Sequence, residues 1–225
     1  MNRKLLSLEG LDGSGKTTQT ALLCRDLKAR GIPFRHVKFP NYDQPYSAPV
    51  RMYLSGVFGA GPGDVNAYTA SSFFAVDRAA SFLSDWRKDY ENGTPILADR
   101  YTTSNLIYQL PKLPKEKWEE FVRWIQDYEY DRIGLPRPNL TVYLDMPAAA
   151  ARELLNVRYR GDETKKDIHE RNESYLSACR EGAAYAAHML GWRVVSCAEG
   201  GRPKPVERIH EEIMKIISGE LLFNV

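Results

Sequence analysis

The chain predicts an α/β fold built on a parallel sheet, and three features of the sequence point to it. Short apolar, partly β-branched runs alternate with longer segments of helical spacing. Near-continuous apolar character, as in Leu140-Thr-Val-Tyr-Leu144, suits strands covered on both faces. Glycines close most of the helical segments, where a left-handed residue ends a helix without steric strain.

The elements follow in order. Lys4–Glu9 is the first strand, and the helical segment Ser14–Arg30 after it ends at Gly31. Phe34–Phe39 is the second strand. It leads into Pro40–Pro49, rich in Pro, Asn, Asp and Tyr and expected as a loop. Asp64–Tyr90 is the longest helical stretch, ending near Gly93, and Pro95–Asp99 is the third strand. Lys115–Tyr128 is the next helix, ahead of Gly134. Leu140–Asp145 is the fourth strand and opens with the nearly unbroken apolar Leu140-Thr-Val-Tyr-Leu144. Arg158–Asp167 is densely charged and reads as solvated loop. A helix from about Lys166 to Leu190, closed by Gly191, precedes the fifth strand, Trp192–Cys197. Lys204–Ser218, closed by Gly219, is the last helix. Neither a repeat nor a linker interrupts the pattern, so one domain over residues 1–225 is expected.

Composition narrows the function classes. The 225 residues are 43% hydrophobic and 27% charged, as in an ordinary globular protein. With 31 basic and 29 acidic residues the net charge is +2. That is too even for a nucleic-acid-coating protein or a polybasic membrane binder. Any anion it handles must be gripped locally. Cys24, Cys179 and Cys197 are scattered and form no CxxC pair, so neither a disulfide framework nor a zinc site is expected. Leu5–Leu8 is cut short by Glu9, which does not suit a secretory leader. No stretch approaches the ~20 apolar residues of a membrane span. The expected setting is the cytoplasm.

Gly10-Leu-Asp-Gly-Ser-Gly15-Lys16-Thr17 fits the phosphate-binding loop G-x-x-x-x-G-K-[ST], between a strand and a helix as that loop requires. Its glycines turn backbone N–H groups inward around phosphate oxygens, helped by the helix N-terminus. Lys16 brings a cation to the β/γ-phosphates, and Thr17 offers a hydroxyl to Mg²⁺. The motif says nucleotide without saying which reaction. No NKxD-like base-reading motif of a GTPase is present; the third strand instead ends in Asp99-Arg100-Tyr101. An Asp there can hold the metal or its water, and the adjacent Arg can clamp a second phosphate.

The ordered set Leu8-Glu-Gly-Leu-Asp-Gly-Ser-Gly-Lys-Thr-Thr18, Phe39-Pro40, Asp77-Arg78, Asp99-Arg100-Tyr101 and Leu135-Pro-Arg-Pro-Asn-Leu140 resembles the thymidylate kinase family across nearly the whole chain. The resemblance implies a nucleoside monophosphate kinase fold: a five-stranded parallel sheet in the order 2-3-1-4-5, flanked by helices, with a mobile lid at about 156–170. It implies ATP with Mg²⁺ as phosphoryl donor, dTMP as acceptor, and a homodimer formed through helices such as Asp64–Tyr90. Gly10, Gly13, Ser14, Gly15, Lys16, Thr17 and Thr18 would hold ATP, with Thr17, Asp12 and Asp99 toward the metal. Phe74 matches the aromatic that stacks on thymine and Arg78 the arginine that reads a base carbonyl; four residues apart, they share a helix face. Arg100 matches the arginine on the acceptor phosphate, and Asp12 the acid near the metal and the sugar 3′-hydroxyl. Ser104 and Asn105 follow it, Asn105 toward the base and phosphate side. Tyr108 matches the tyrosine that excludes a ribose 2′-hydroxyl, and Phe39 and Tyr42 lie in the loop flanking the acceptor.

Three departures from the family pattern stand out. Gly13 occupies a place where some members carry arginine; the transition-state cation is then expected from the lid, from Arg158 or Arg160. Leu110-Pro-Lys-Leu-Pro114 replaces a glycine-containing stretch, and Lys166-Asp-Ile-His169-Glu170 is an unfamiliar lid sequence. His169 is expected to be structural, since phosphoryl transfer to an anion needs little base help. Two alternatives remain open at this stage: a kinase of another nucleotide or of a deoxynucleoside, and a nucleotide-dependent switch or binding protein.

Overall fold

The computed structural model describes residues 3–159, 168–169, 172–220 and 223. Strands β1 (Leu5–Gly10), β2 (Arg35–Lys38), β3 (Ile96–Asp99), β4 (Leu140–Asp145) and β5 (Arg193–Ser196) form one parallel sheet in the order β2-β3-β1-β4-β5. Burial explains the strand pattern. Every residue of β1 and β3 is buried, because helices cover both faces. On one face, Leu6, Leu8 and Leu97 pack with Leu23 and Leu27 of α1 (Lys16–Ala29) and Ile213 of α9 (Val206–Gly219). Leu5, Ile96 and Ala98 belong to a second cluster with Phe39, Trp86 and Tyr101.

The register sets Leu8 beside Asp99 and Gly10 beside Leu144. The chain therefore leaves β1 and β3 side by side at the carboxyl edge. There β2 and β3 lie to one side of β1 and β4 to the other, and open α/β sheets bind ligands at such a switch point.

Several expected boundaries shift for physical reasons. Pro40–Pro49 is not all loop: a 3₁₀ turn at Pro45–Ser47 leads into α2 (Ala48–Leu54). Pro45 and Pro49 stand in first turns, where the missing N–H is no loss. The long helix expected at 64–90 is α3 (Ala67–Ser81), a wider π-type turn at Phe82–Trp86, and α4 (Arg87–Glu91). Likewise α6 (Trp118–Ile125) passes into a wide turn at Gln126–Arg132, which carries Glu129 and Tyr130 inward. Besides α2, two further helices were not expected. In α5 (Thr103–Gln109) six of seven residues are buried, so no amphipathic period shows. Helix α7 (Ala148–Tyr159) includes Arg158 and extends into the segment expected as loop. Helix α8 (Glu173–Leu190) begins at Asn172, whose side chain accepts a hydrogen bond from the Tyr175 N–H as a helix cap does. It ends at Gly191 with φ 67°. A short antiparallel pair, β6 (Ala198–Glu199) and β7 (Arg202–Pro203), precedes α9.

Candidate active site

The turn after β1 needs two left-handed residues, and glycine supplies both. Gly13 has φ 78° and Gly15 φ 83°. A Cβ on Gly13 would stand 2.5 Å from the Ala151 carbonyl oxygen of α7. A longer side chain such as arginine has no room here, which gives the glycine at this position a steric reason. Lys16 opens α1 and is buried, its Nζ 3.1 Å from Asp99 Oδ1. Burial and the nearby Arg100 pull the Lys16 pKa down, with Asp99 and Asp12 opposing. Thr17 and Thr18 are exposed on the first turn. The loop lines an open cleft of about 430 Å³, bounded by Leu155 of α7 and by Pro203, Lys204 and Val206 near the start of α9. These last four carried no sequence signal.

A second cavity adjoins the first and shares Asp12 with it. Asp12, Phe39, Tyr42, Phe74, Arg78, Arg100, Ser104, Asn105 and Tyr108 all line it, together with His169. These residues come from the ends of β1, β2 and β3 and from α3 and α5, and the sheet register brings them together. Its volume is about 80 Å³. Typical ligand sites hold ~300 Å³ or more, and here the site's own side chains fill the space. Arg100 Nη2 donates to Asp12 Oδ1 at 2.5 Å and Nη1 to the Gly10 carbonyl at 3.1 Å. The Tyr108 hydroxyl donates to Asp12 Oδ2 at 2.8 Å, and the Arg100 guanidinium lies 5.2 Å over the Tyr108 ring. Burial disfavours the Asp12 carboxylate, but Arg100 and Lys16 outweigh it and hold its pKa below the usual value.

Arg100 has φ 66°. That left-handed conformation is rare for a side-chain-bearing residue and clusters at functional sites. Glu9 holds the turn. This fully buried carboxylate accepts from the Tyr101 N–H at 2.8 Å, the Thr103 hydroxyl at 2.5 Å and the Ser104 hydroxyl at 2.7 Å. Ser104 thus lines the cavity with its proton committed to Glu9. A glutamate ending an apolar strand was the signal that could have exposed this role.

Phe74 is half-buried, edge-on to Tyr53 at 6.0 Å. Asp77 ties α3 to the loop after β2, accepting from the Asn41 N–H at 3.2 Å and from the Ser47 hydroxyl. Phe39 is a core residue, packed on Tyr101 at 5.9 Å, with one edge on the cavity. Tyr42 is 45% exposed at the rim. The two segments that depart from the family pattern meet here. The His169 ring stacks on Tyr108 at 5.2 Å, with Nε2 2.8 Å from the Tyr53 hydroxyl, which also accepts from Lys112 Nζ at 2.8 Å. Burial, with the Lys112 and Arg100 charges, pushes the His169 pKa down to about 3. Arg160 and the Arg158 side chain lie outside the described residues.

Among the described residues, no group of three or more His, Cys, Asp or Glu is arranged to cage a metal ion. The oxygen donors at the loop, the Thr17 hydroxyl and the Asp12 and Asp99 carboxylates, suit Mg²⁺, which keeps much of its water and binds largely through phosphates. No helix of the described residues is long and apolar enough to cross a membrane.

The chain is similar to several known proteins. The thymidylate kinase of Mycobacterium tuberculosis (strain ATCC 25618 / H37Rv) is 31% identical over 186 residues, covering 81% of this chain and 84% of the relative. That of Fervidobacterium nodosum is 27% identical over 220 residues, covering 96% and 99%. Among solved structures, a thymidylate kinase from Candida albicans superposes with a TM-score of 0.70 at 23% identity, over 96% of this chain and 91% of that one, a likeness of fold alone. The family model described as thymidylate kinase matches residues 8–213, from the end of β1 into α9 and through both cavities. The chain belongs to the thymidylate kinase family.

Proposed function

We propose that the protein transfers the γ-phosphoryl of ATP to the 5′-phosphate of dTMP, with the donor in the cleft of the phosphate-binding loop and the acceptor in the smaller cavity. One observation carries the assignment: Asp12 lines both spaces, so the cleft of the phosphate-binding loop and the cavity around Arg100 meet across one residue. Lys16 leaves Asp99 for the β/γ-phosphates when the cleft fills. Arg100 exchanges its Asp12 partner for the acceptor phosphate, a role suited to a permanently charged fork. Phe74 stacks on the base, Arg78 and Asn105 meet its polar edge, and Tyr108 walls off the sugar. When bound, Mg²⁺ neutralises charge on the transferred phosphoryl, with Thr17, Asp12 and Asp99 as its protein-side partners. The remaining work is alignment of two phosphates, which needs no covalent intermediate. The lid arginines, Arg158 or Arg160, supply the further cation.

The protein acts in the cytoplasm as a homodimer. Val76 and Leu83, seven residues apart on α3 and its wide turn, are 49% and 65% exposed and supply an apolar face for the second copy.

ADP formation from ATP–Mg²⁺ tests the acceptor, with dTMP, dUMP, dCMP, the purine monophosphates and thymidine in parallel. Turnover with dTMP and little with thymidine is expected. Turnover with thymidine that survives Arg100→Ala would move the protein to the deoxynucleoside kinases.

A further inference from the structure

Behind the acceptor cavity lies a carboxylate that no sequence signal marked. Glu129 is fully buried in the wide turn that follows α6. Its Oε2 accepts from Arg78 Nε at 2.7 Å, and its Oε1 from Arg78 Nη2 at 2.8 Å and from Asn105 Nδ2 at 2.8 Å. Asn105 Nδ2 also donates to the Ser71 carbonyl at 3.2 Å. Arg78 and Asn105 line the cavity, whereas Glu129 stands behind both.

The donor inventory turns this arrangement into a pattern. An asparagine amide has two N–H donors and one carbonyl acceptor. With both donors committed, Asn105 meets the cavity with Oδ1. Arginine has five N–H donors and no acceptor. Glu129 takes two of them, and Nη1 points to the Tyr101 carbonyl at 3.4 Å, which leaves N–H groups on the terminal nitrogens. The base end of the cavity therefore shows a donor from Arg78 beside an acceptor from Asn105.

We propose that Glu129 is a specificity-positioning residue: it fixes Arg78 as donor and Asn105 as acceptor, so that the site takes a pyrimidine with a 4-keto oxygen and an N3–H. The proposal rests on the acceptor assignment above. Thymine and uracil carry that keto oxygen beside the N3–H, so both contacts are satisfied. Cytosine carries a 4-amino group beside a bare N3, so donor meets donor and acceptor meets acceptor. A site built to hydrogen-bond its substrate rejects a mismatched analogue strongly, by up to about 10⁴–10⁵-fold, because its own buried polar groups are left unpaired. Turned over, the Asn105 amide would set Oδ1 against the Glu129 carboxylate and the Ser71 carbonyl, acceptor against acceptor, so the two together hold its orientation and Glu129 accepts the shorter bond.

The test is kcat/KM for dTMP, dUMP and dCMP in the wild type, Glu129→Gln and Glu129→Asp. The amide of Glu129→Gln keeps the shape but turns one accepting oxygen into a donor, so at least one of the three Arg78 and Asn105 contacts is lost. Expected in Glu129→Gln is a fall for dTMP carried in KM, with a dCMP/dTMP ratio at least tenfold above wild type and an unchanged KM for ATP. Glu129→Asp keeps the charge and is expected to shift the ratio less. An equal loss for all three acceptors in both variants would reduce Glu129 to a structural ion pair and overturn the proposal. The wild type supplies a measurement that needs no variant: dTMP methylated at N3 should lose at least about tenfold in affinity, and binding equal to dTMP would remove the proposed acceptor. A wild type that phosphorylates dCMP as well as dTMP would overturn the proposal and leave the dTMP assignment standing, whereas a wild type without turnover of dTMP would fail that assignment before any variant is compared.

Discussion

At the residue scale, His169 gives the site a pH dependence whose sign follows from its seat. It is 4% exposed between the Tyr108 and Tyr53 rings, close to Tyr175 and within the fields of Lys112, Asp12 and Arg100. Burial lowers its pKa to about 3, and Lys112, itself lowered to about 8 by burial, adds to the effect. An imidazole displaced into water titrates near 6.5. Between about pH 6.5 and 3 the displaced form therefore binds more protons, so the seated form is progressively disfavoured as pH falls. In a side-chain NMR titration, His169 should leave its stacked position as it protonates, while His169→Phe keeps its ring in place down to pH 5. A seated His169 that titrates reversibly near 6.5 would contradict this. The residues singled out in the sequence were Lys16 by the loop motif, Arg100 by its place at a strand end, and Asp12, Phe74 and Arg78 by the family resemblance. Glu129, 51 positions from Arg78, and His169, 116 from Tyr53, gain their roles only through tertiary contact.

At the element scale, the phosphate-binding loop is shaped by a neighbour as much as by its own glycines. Gly13 and Gly15 share a left-handed backbone, but a Cβ at Gly13 would strike α7 while one at Gly15 has nothing within 4 Å. Both Ala substitutions carry the same kind of backbone strain, about 1–2 kcal/mol. Gly13→Ala adds a clash with backbone, so its melting temperature without nucleotide should fall below that of Gly15→Ala. Equal losses would mean that α7 does not abut the loop. The helices readable from sequence were those with a polar face or a glycine stop. Helix α5 escaped because it is buried nearly all round, α2 because its prolines mimic a loop, and the wide turns of α3 and α6 because an extra residue per turn breaks the helical period.

At the scale of the whole molecule, the five apolar runs became the five strands in the expected order. The central strands β1, β3 and β4 are buried nearly throughout and leave an apolar signature, whereas the edge strands β2 and β5 bury one residue each and were legible through their place between helices. Assembly is less visible, because a dimer face looks like any exposed apolar stripe. In sedimentation experiments Val76→Glu combined with Leu83→Glu should yield a monomer, whereas an unchanged dimer would place the interface elsewhere. The central claim is that donor and acceptor phosphates meet across Asp12, with Arg100 on the acceptor. It is tested most directly by following the label of γ-³²P-ATP with dTMP in the wild type and in Arg100→Ala. The account predicts labelled dTDP from the wild type, and at least a tenfold lower kcat/KM for dTMP in the variant, since hydrogen bonds to charged groups contribute about 1.5–3 kcal/mol. Label released as inorganic phosphate whether or not dTMP is present, or transfer unchanged by Arg100→Ala, would contradict it.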